Sequence, residues 1–185
     1  MMLHRRALIV LVPGLLAACA SPNPNLYTLS AIPGPVLSAS PAVVKLRTIS
    51  LARFLERPQI VRSSENFRLD VMSNDWWGEP LGAMLGRILV AELSQRLPAS
   101  TVFLEGGAIS ATPDATVEIN IERLDQDASG QLLLTAQIAL AGRRQATRTL
   151  HVTITPPDAT MTGFAGAVST AVARLADAVA GMLAG

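Results

Sequence analysis

Val117-Glu118-Ile119-Asn120-Ile121-Glu122 alternates apolar and polar residues without a break. That period of two puts Val117, Ile119 and Ile121 on a covered face and Glu118, Asn120 and Glu122 on a solvated one, as in a half-buried strand. The strand is predicted over 115–124. Two more strand-like runs, 131–140 and 147–155, follow the turn-forming Asp127-Ala128-Ser129-Gly130 and Ala141-Gly142. Residues 115–155 therefore read as an antiparallel meander with one face that needs a cover.

Two segments supply the cover. Leu81, Leu85, Ile88, Leu89, Leu93 and Leu97 follow helical spacing, with Gln95 and Arg96 placed opposite them, and Pro98 ends the run. The stretch from Asn74-Asp75 through Trp76-Trp77 to Pro80 reads as the entry to this helix, since proline is tolerated in a first turn. Phe164, Val168, Val172, Leu175, Val179 and Met182 mark a second helix whose remaining positions are rich in alanine. Upstream, 43–51 reads as a strand with a bulge, 59–62 and 101–104 as strands, and 67–72 as a half-buried strand. The fold class expected is α/β of the α+β type: a single compact domain with a mixed or mainly antiparallel sheet covered by two long helices.

Working back to the N-terminus, His4-Arg5-Arg6 precedes an apolar run over 7–16, and Leu16-Ala17-Ala18-Cys19 follows. The run has the length of a signal h-region, short of the roughly 20 apolar residues of a transmembrane helix. Cys19, the sole cysteine, sits where a lipobox places the residue that is thioether-linked to diacylglycerol. A plain secretory signal and a core-helix cysteine are the competing readings; position, small residues and basic start together favour lipidation. Diacylglycerol plus an N-acyl group would hold the chain stably at a membrane, which one acyl chain does not. Ala20 rather than Asp follows the cysteine, which favours outer-membrane sorting. The expected organisation is a signal peptide at 1–18, a lipidated N-terminus and tether at 19–41, rich in Ser, Pro and Asn, and a domain at 42–185. The apolar island Leu26-Tyr27-Thr28-Leu29 is a candidate first strand.

Removing the first 18 of 185 residues leaves 167, enough for one domain with its own core. Lys+Arg then falls from 15 to 13 against 14 Asp+Glu, and only 4% of residues are aromatic, a composition that points away from nucleic acid. With the single cysteine taken by lipid, no disulfide is available. His151 is the one histidine left after processing; in an alternating strand it reads as solvent-facing rather than as a general base. No second histidine, free cysteine or ligand-spaced carboxylate cluster suggests a metal, and no glycine-rich loop with its lysine suggests a phosphate cradle. Asp125, Asp127, Glu118 and Glu122 read as solvated charges. No cofactor is expected. Trp76 and Trp77 are read either as a core residue beside one covering the sheet edge or as an exposed contact surface. Arg57 is read either as an ion-paired structural residue or as a recognition residue.

Three segments taken together, Leu26-Tyr27-Thr28-Leu29, Leu55-Glu56-Arg57-Pro58-Gln59-Ile60-Val61 and Trp77-Gly78-Glu79-Pro80-Leu81, resemble the ABC-type transport auxiliary lipoproteins, which include the PqiC-like proteins. Leu26 stands where that family often has an aromatic, and Gly78 is an unusual residue after the tryptophan. The resemblance implies a compact domain of two helices on a sheet. It also implies a non-catalytic role beside an ABC permease, its ATPase and a mammalian cell entry (MCE) domain substrate-binding protein, in systems that move lipids or other hydrophobic molecules across the bacterial envelope. This chain would be the component anchored in the outer membrane and facing the periplasm, with Arg57, Trp76 and Trp77 as candidate partner-binding residues and self-association left open. A periplasmic lipid carrier with an unfilled cavity is the alternative. An envelope hydrolase is disfavoured by the histidine count.

Overall fold

The structure, a computed structural model, describes residues 23–38, 41–109 and 111–185. Cys19 and the predicted signal peptide lie outside the described residues. In chain order the elements are β1 (Asn25–Tyr27), β2 (Val43–Leu46), β3 (Ser50–Leu51), a 3-10 turn (Arg53–Leu55), β4 (Gln59–Ser63), β5 (Asp70–Trp77), α1 (Leu81–Arg96), β6 (Thr101–Leu104), β7 (Ala115–Gln126), β8 (Leu132–Gly142), β9 (Ala146–Ile154) and α2 (Met161–Ala184).

The alternating stretch is the spine of the sheet. One edge of β7 pairs antiparallel with β8 along its whole length, and β8 pairs antiparallel with β9. The other edge is taken in turn by β2, β3 and β4, all parallel. From there the sheet divides into two wings: β2 carries β6 in parallel, while β4 carries β5 antiparallel and β5 carries β1 in parallel. The result, among the described residues, is a mixed nine-stranded sheet. The bulge expected over 43–51 lies between β2 and β3. From Leu46 to Ser50 is one residue more than from their partners Val117 to Asn120.

One face of the sheet is apolar and carries both helices. Val117, Ile119 and Ile121 of β7 and Leu132, Leu134, Ala136 and Ile138 of β8 are buried against α1 and α2, whereas Glu118 and Glu122 are exposed. Small residues let the helices close on each other and on the sheet, with Ala167, Ala171, Ala176 and Ala180 of α2 all buried. Thr160 caps α2, its hydroxyl accepting from the Gly163 N–H at 3.0 Å. By length and composition α2 is apolar enough to cross a bilayer, but 61% of its most apolar window is buried inside the domain, as befits a core helix.

Four expectations are corrected. The Trp76-Trp77 segment is not a helix entry: it is the end of β5, and α1 starts at Leu81 because Pro80 holds an extended ψ of 126°. Aromatic side chains favour the pleated surface, and the residue before a proline avoids the helical region. The half-buried strand begins at Asp70 and not at Phe67, which is fully exposed in a turn with φ of 61°. Asp125 is buried rather than solvated; its Oδ1 accepts from Arg123 Nε at 2.7 Å and its Oδ2 has no hydrogen-bond partner among the described residues. Arg96, assigned to the solvent side of α1, is 1% exposed.

What buries Arg96 is the segment that composition assigned to the tether. From Ser30 to Leu37 the chain lies across α1 and α2 as a strap. The Ile32 N–H donates to Glu92 Oε1 at 2.8 Å, the Gly34 N–H to Gln95 Oε1 at 2.9 Å, and the Leu37 N–H to the Arg96 carbonyl at 2.7 Å. Arg96 in return donates to the carbonyls of Ile32 and Ala173, both at 3.2 Å, and to Asp177 at 2.7 Å. Backbone that joins no sheet must still find partners, and here the polar side chains of α1 provide them. Burial pushes the Glu92 carboxyl above the usual carboxylate range, against the opposing pull of the Ile32 N–H and of Arg96. The folded unit thus starts at Asn25, well before residue 42.

Candidate docking cleft

The three sequence segments that stand out near residues 27, 57 and 77 are brought together at one end of the β4–β5 hairpin. Tyr27 pairs with Trp77 across β1 and β5. The Trp77 N–H donates to the Pro58 carbonyl at 2.8 Å, and the Gly78 N–H to the Tyr27 carbonyl at 2.8 Å. These bonds tie the end of β1, the start of β4 and the end of β5 into one corner, immediately before the first turn of α1.

Beside that corner lies a cleft of about 470 Å³, with Ile49, Leu51, Pro58, Trp77, Leu81 and Leu104 as its apolar walls and Arg57 at its rim. Trp77 is its floor. The indole is 6% exposed and its ring centroid is 6.4 Å from that of Phe164 in α2, a tilted aromatic pair within the usual range. Trp76 points the other way, half-buried, with its Nε1–H donating to the Ser73 carbonyl at 3.1 Å. Arg57 is half-buried. Its Nε donates to the Phe54 carbonyl at 3.1 Å, and among the described residues no carboxylate pairs with its guanidinium. The cleft therefore unites Arg57 and Trp77, and Trp76 stands outside it. Leu51 and Leu104 were not singled out by sequence, because nothing in their local pattern distinguishes them from other apolar strand residues.

A larger cleft of about 750 Å³ opens on the uncovered face of the sheet. Most of its charges are matched: Arg47 bonds Glu118 at 2.7 Å and Glu105 at 3.3 Å, and Lys45 bonds Glu105 at 3.3 Å, while Arg148 in the same lining is exposed and in no ion pair among the described residues. Ion pairs and an exposed arginine at a solvated surface offer a partner little, so the smaller cleft, with its apolar walls and buried tryptophan beside Arg57, is the stronger candidate. His151 is exposed on β9 with Nδ1 3.3 Å from the Thr135 hydroxyl. His151→Ala is expected to leave both the melting temperature and biological function unchanged, since one exposed hydroxyl contact supports neither; complementation of a deletion strain together with a thermal melt checks it.

The family described as ABC-type transport auxiliary lipoprotein component matches residues 27–180. The chain belongs to that family. Among solved structures, the fold of this transport auxiliary lipoprotein is shared with an uncharacterized protein at 16% identity and TM-score 0.73, covering 87% of this chain and 99% of that one. It is shared too with a Xanthomonas campestris protein of family DUF330, at 19% identity and TM-score 0.70, covering 88% and 95%. At these identities the likeness is one of fold. No curated protein sequence matches the chain.

Proposed function

We propose that this chain is the outer-membrane-anchored component of an MCE-type transport system for lipids or other hydrophobic molecules. In this reading acyl groups on Cys19 hold it to the membrane from the periplasmic side, and the Arg57–Trp77 cleft docks the MCE-domain partner that connects to the ABC permease and ATPase. The observation that carries the reading is the convergence of three distant segments on one open, apolar corner with an unmatched arginine. Apolar walls around an arginine are the composition of an interface hot spot, and the chain's membership of a transport auxiliary family supplies the setting.

The test is co-purification. Tagged protein extracted from cells in mild detergent should bring down an MCE-domain protein with its permease and ATPase, and its intact mass should carry acyl groups. Cys19→Ser, which cannot form the thioether, should shift the protein from the outer-membrane fraction to a soluble or unprocessed form. Unchanged outer-membrane recovery of the serine variant, with no acyl mass on the wild type, would refute the anchor. The lipid-carrier reading draws on the volume of the cleft, which falls within the range of small-molecule pockets. Stoichiometric lipid bound to the purified protein in native mass spectrometry would favour it over docking.

A further inference from the structure

The β4–β5 hairpin has two ends, and the docking cleft occupies only one of them. Gln59 pairs with Trp76 at the cleft end, and Ser63 pairs with Asp70 at the other. Beyond Ser63 the hairpin closes through a tip at which Asn66, Phe67, Arg68 and Leu69 are all exposed. The Arg68 N–H donates to the Glu65 carbonyl at 3.1 Å, so Asn66 and Phe67 are the central residues of the turn, with φ of 54° and 61°. A tight turn with positive φ at both central positions favours asparagine at the first and glycine at the second. Here the second is phenylalanine, a bulky residue in a region that L side chains rarely adopt. Its ring contributes nothing to the core. Arg62 and Arg123 nearby are ion-paired with Asp70 and with Glu65 and Asp125, but Arg68 is in no ion pair among the described residues. The tip thus offers an aromatic, a free cation and an aliphatic side chain in sequence.

The N-terminal chain leads to the same end. β1 runs parallel to β5 with Asn25 opposite Asp75, so the backbone entering β1 comes from the direction of Asp70 and the tip. Five residues separate Cys19 from Asn25, and the chain between the two spans at most roughly 20 Å. The five residues from Asp75 back to Asp70 cover about 17 Å of strand. Because the strap over 30–37 is fixed to the helices, it adds nothing to this reach. The reach from Asn25 to a lipid on Cys19 is accordingly long enough to cover the distance to the Asp70 end of the hairpin, beside the exposed Phe67.

We propose that the β4–β5 tip is a membrane-contacting finger: Phe67 and Leu69 enter the interfacial layer of the bilayer that holds the Cys19 acyl groups, and Arg68 meets lipid phosphates. Aromatic and long cationic side chains are the residues suited to that layer. The orientation rests on the lipid-anchor reading above, and it turns the docking cleft, at the opposite end of the same hairpin, toward the periplasm.

Acylation consumes the chain's one cysteine, so single thiols can be introduced for labelling. Full-length acylated Phe67→Cys, Leu69→Cys and Gln145→Cys proteins, the last in the β8–β9 turn at the other end of β7, are labelled with an environment-sensitive fluorophore. They are then placed in phosphatidylethanolamine–phosphatidylglycerol vesicles with and without doxyl-labelled lipid. The expected result is a blue-shifted emission at positions 67 and 69 that is lost to doxyl quenching, with neither effect at 145. Adding Phe67→Gly to the Leu69→Cys protein should abolish quenching at 69 while the melting temperature is held or raised, because glycine relieves the turn. Probes at 67 and 69 quenched no more than at 145, or quenching at 69 indifferent to Phe67→Gly, overturns the proposal; so does protection of the tip by a protein partner in place of lipid. Intact mass separates the two levels: acylated protein with an unquenched tip refutes the orientation alone, whereas missing acyl mass refutes the anchor and the orientation with it.

Discussion

Arg96→Ala is expected to destabilise the domain by about 3–5 kcal/mol, the range for removing one partner from a buried charged network. The guanidinium is 1% exposed and donates to the Asp177 carboxylate and to the carbonyls of Ile32, Glu92 and Ala173. Alanine would leave those carbonyls without this donor inside the protein and open a cavity the size of the side chain. Asp177 itself is 28% exposed and recovers water, so most of the cost comes from the lost packing and from the Ile32 carbonyl, which loses its donor, while the Glu92 and Ala173 carbonyls keep their helical bonds. The strap should loosen as well, since Ile32 is among the groups that Arg96 holds. Urea denaturation gives the free energy, and limited proteolysis should show new cleavage within 30–37 before the sheet melts. Gly34→Ala should reproduce the strap phenotype from the other side, because a Cβ there would clash with the Arg96 guanidinium. An Arg96→Ala protein with unchanged denaturation midpoint and an uncut strap would refute this account.

The strap also shows where the sequence is legible and where it is not. Period-two alternation over 115–155 is produced by a sheet with one dry face, and β7, β8 and β9 appear in that order and sense. The two helices follow from apolar spacing in the same direct way. Those signals are local, carried by residues a few positions apart. Residues 30–37 have no such signal, because their partners Glu92, Gln95 and Arg96 lie some 60 positions away and Pro33 and Pro35 make the segment look like linker. The burial of Arg96 is illegible for the same reason. The residue lies next to the apolar stripe of α1, and only a cover absent from the local pattern allows an arginine to be buried there. At the cleft, the three segments could be picked out by resemblance, but their meeting point depends on β1 pairing in parallel with β5, a long-range register that no local periodicity encodes. The parallel edge of β7 is hidden similarly, since parallel neighbours are joined by long connections rather than by turns.

Arg57→Ala and Trp77→Ala are expected to separate docking from folding. Trp77 fills the corner against Phe164, and its truncation should cost about 3–5 kcal/mol, the range for a large aromatic removed from a core. Any loss of partner capture by that variant is then a consequence of unfolding, and the two should fall together as temperature is raised. Arg57 is different. Its one hydrogen bond among the described residues goes to the Phe54 carbonyl within its own turn, so its removal should change stability by no more than about 0.5 kcal/mol. If the cleft docks the MCE-domain protein, the guanidinium becomes buried against a partner carboxylate or carbonyl, and alanine should weaken capture by about 2 kcal/mol, a thirtyfold change in Kd. Trp76→Ala serves as the control on the neighbouring face: it is half-buried, outside the cleft, and should leave capture by the partner near wild type. Melting temperature and partner capture are measured on the same three preparations. A folded Arg57→Ala protein that binds as tightly as wild type removes the cleft from consideration, and a folded Trp76→Ala protein that fails to bind moves the docking surface to the exposed side of the β1–β5 edge.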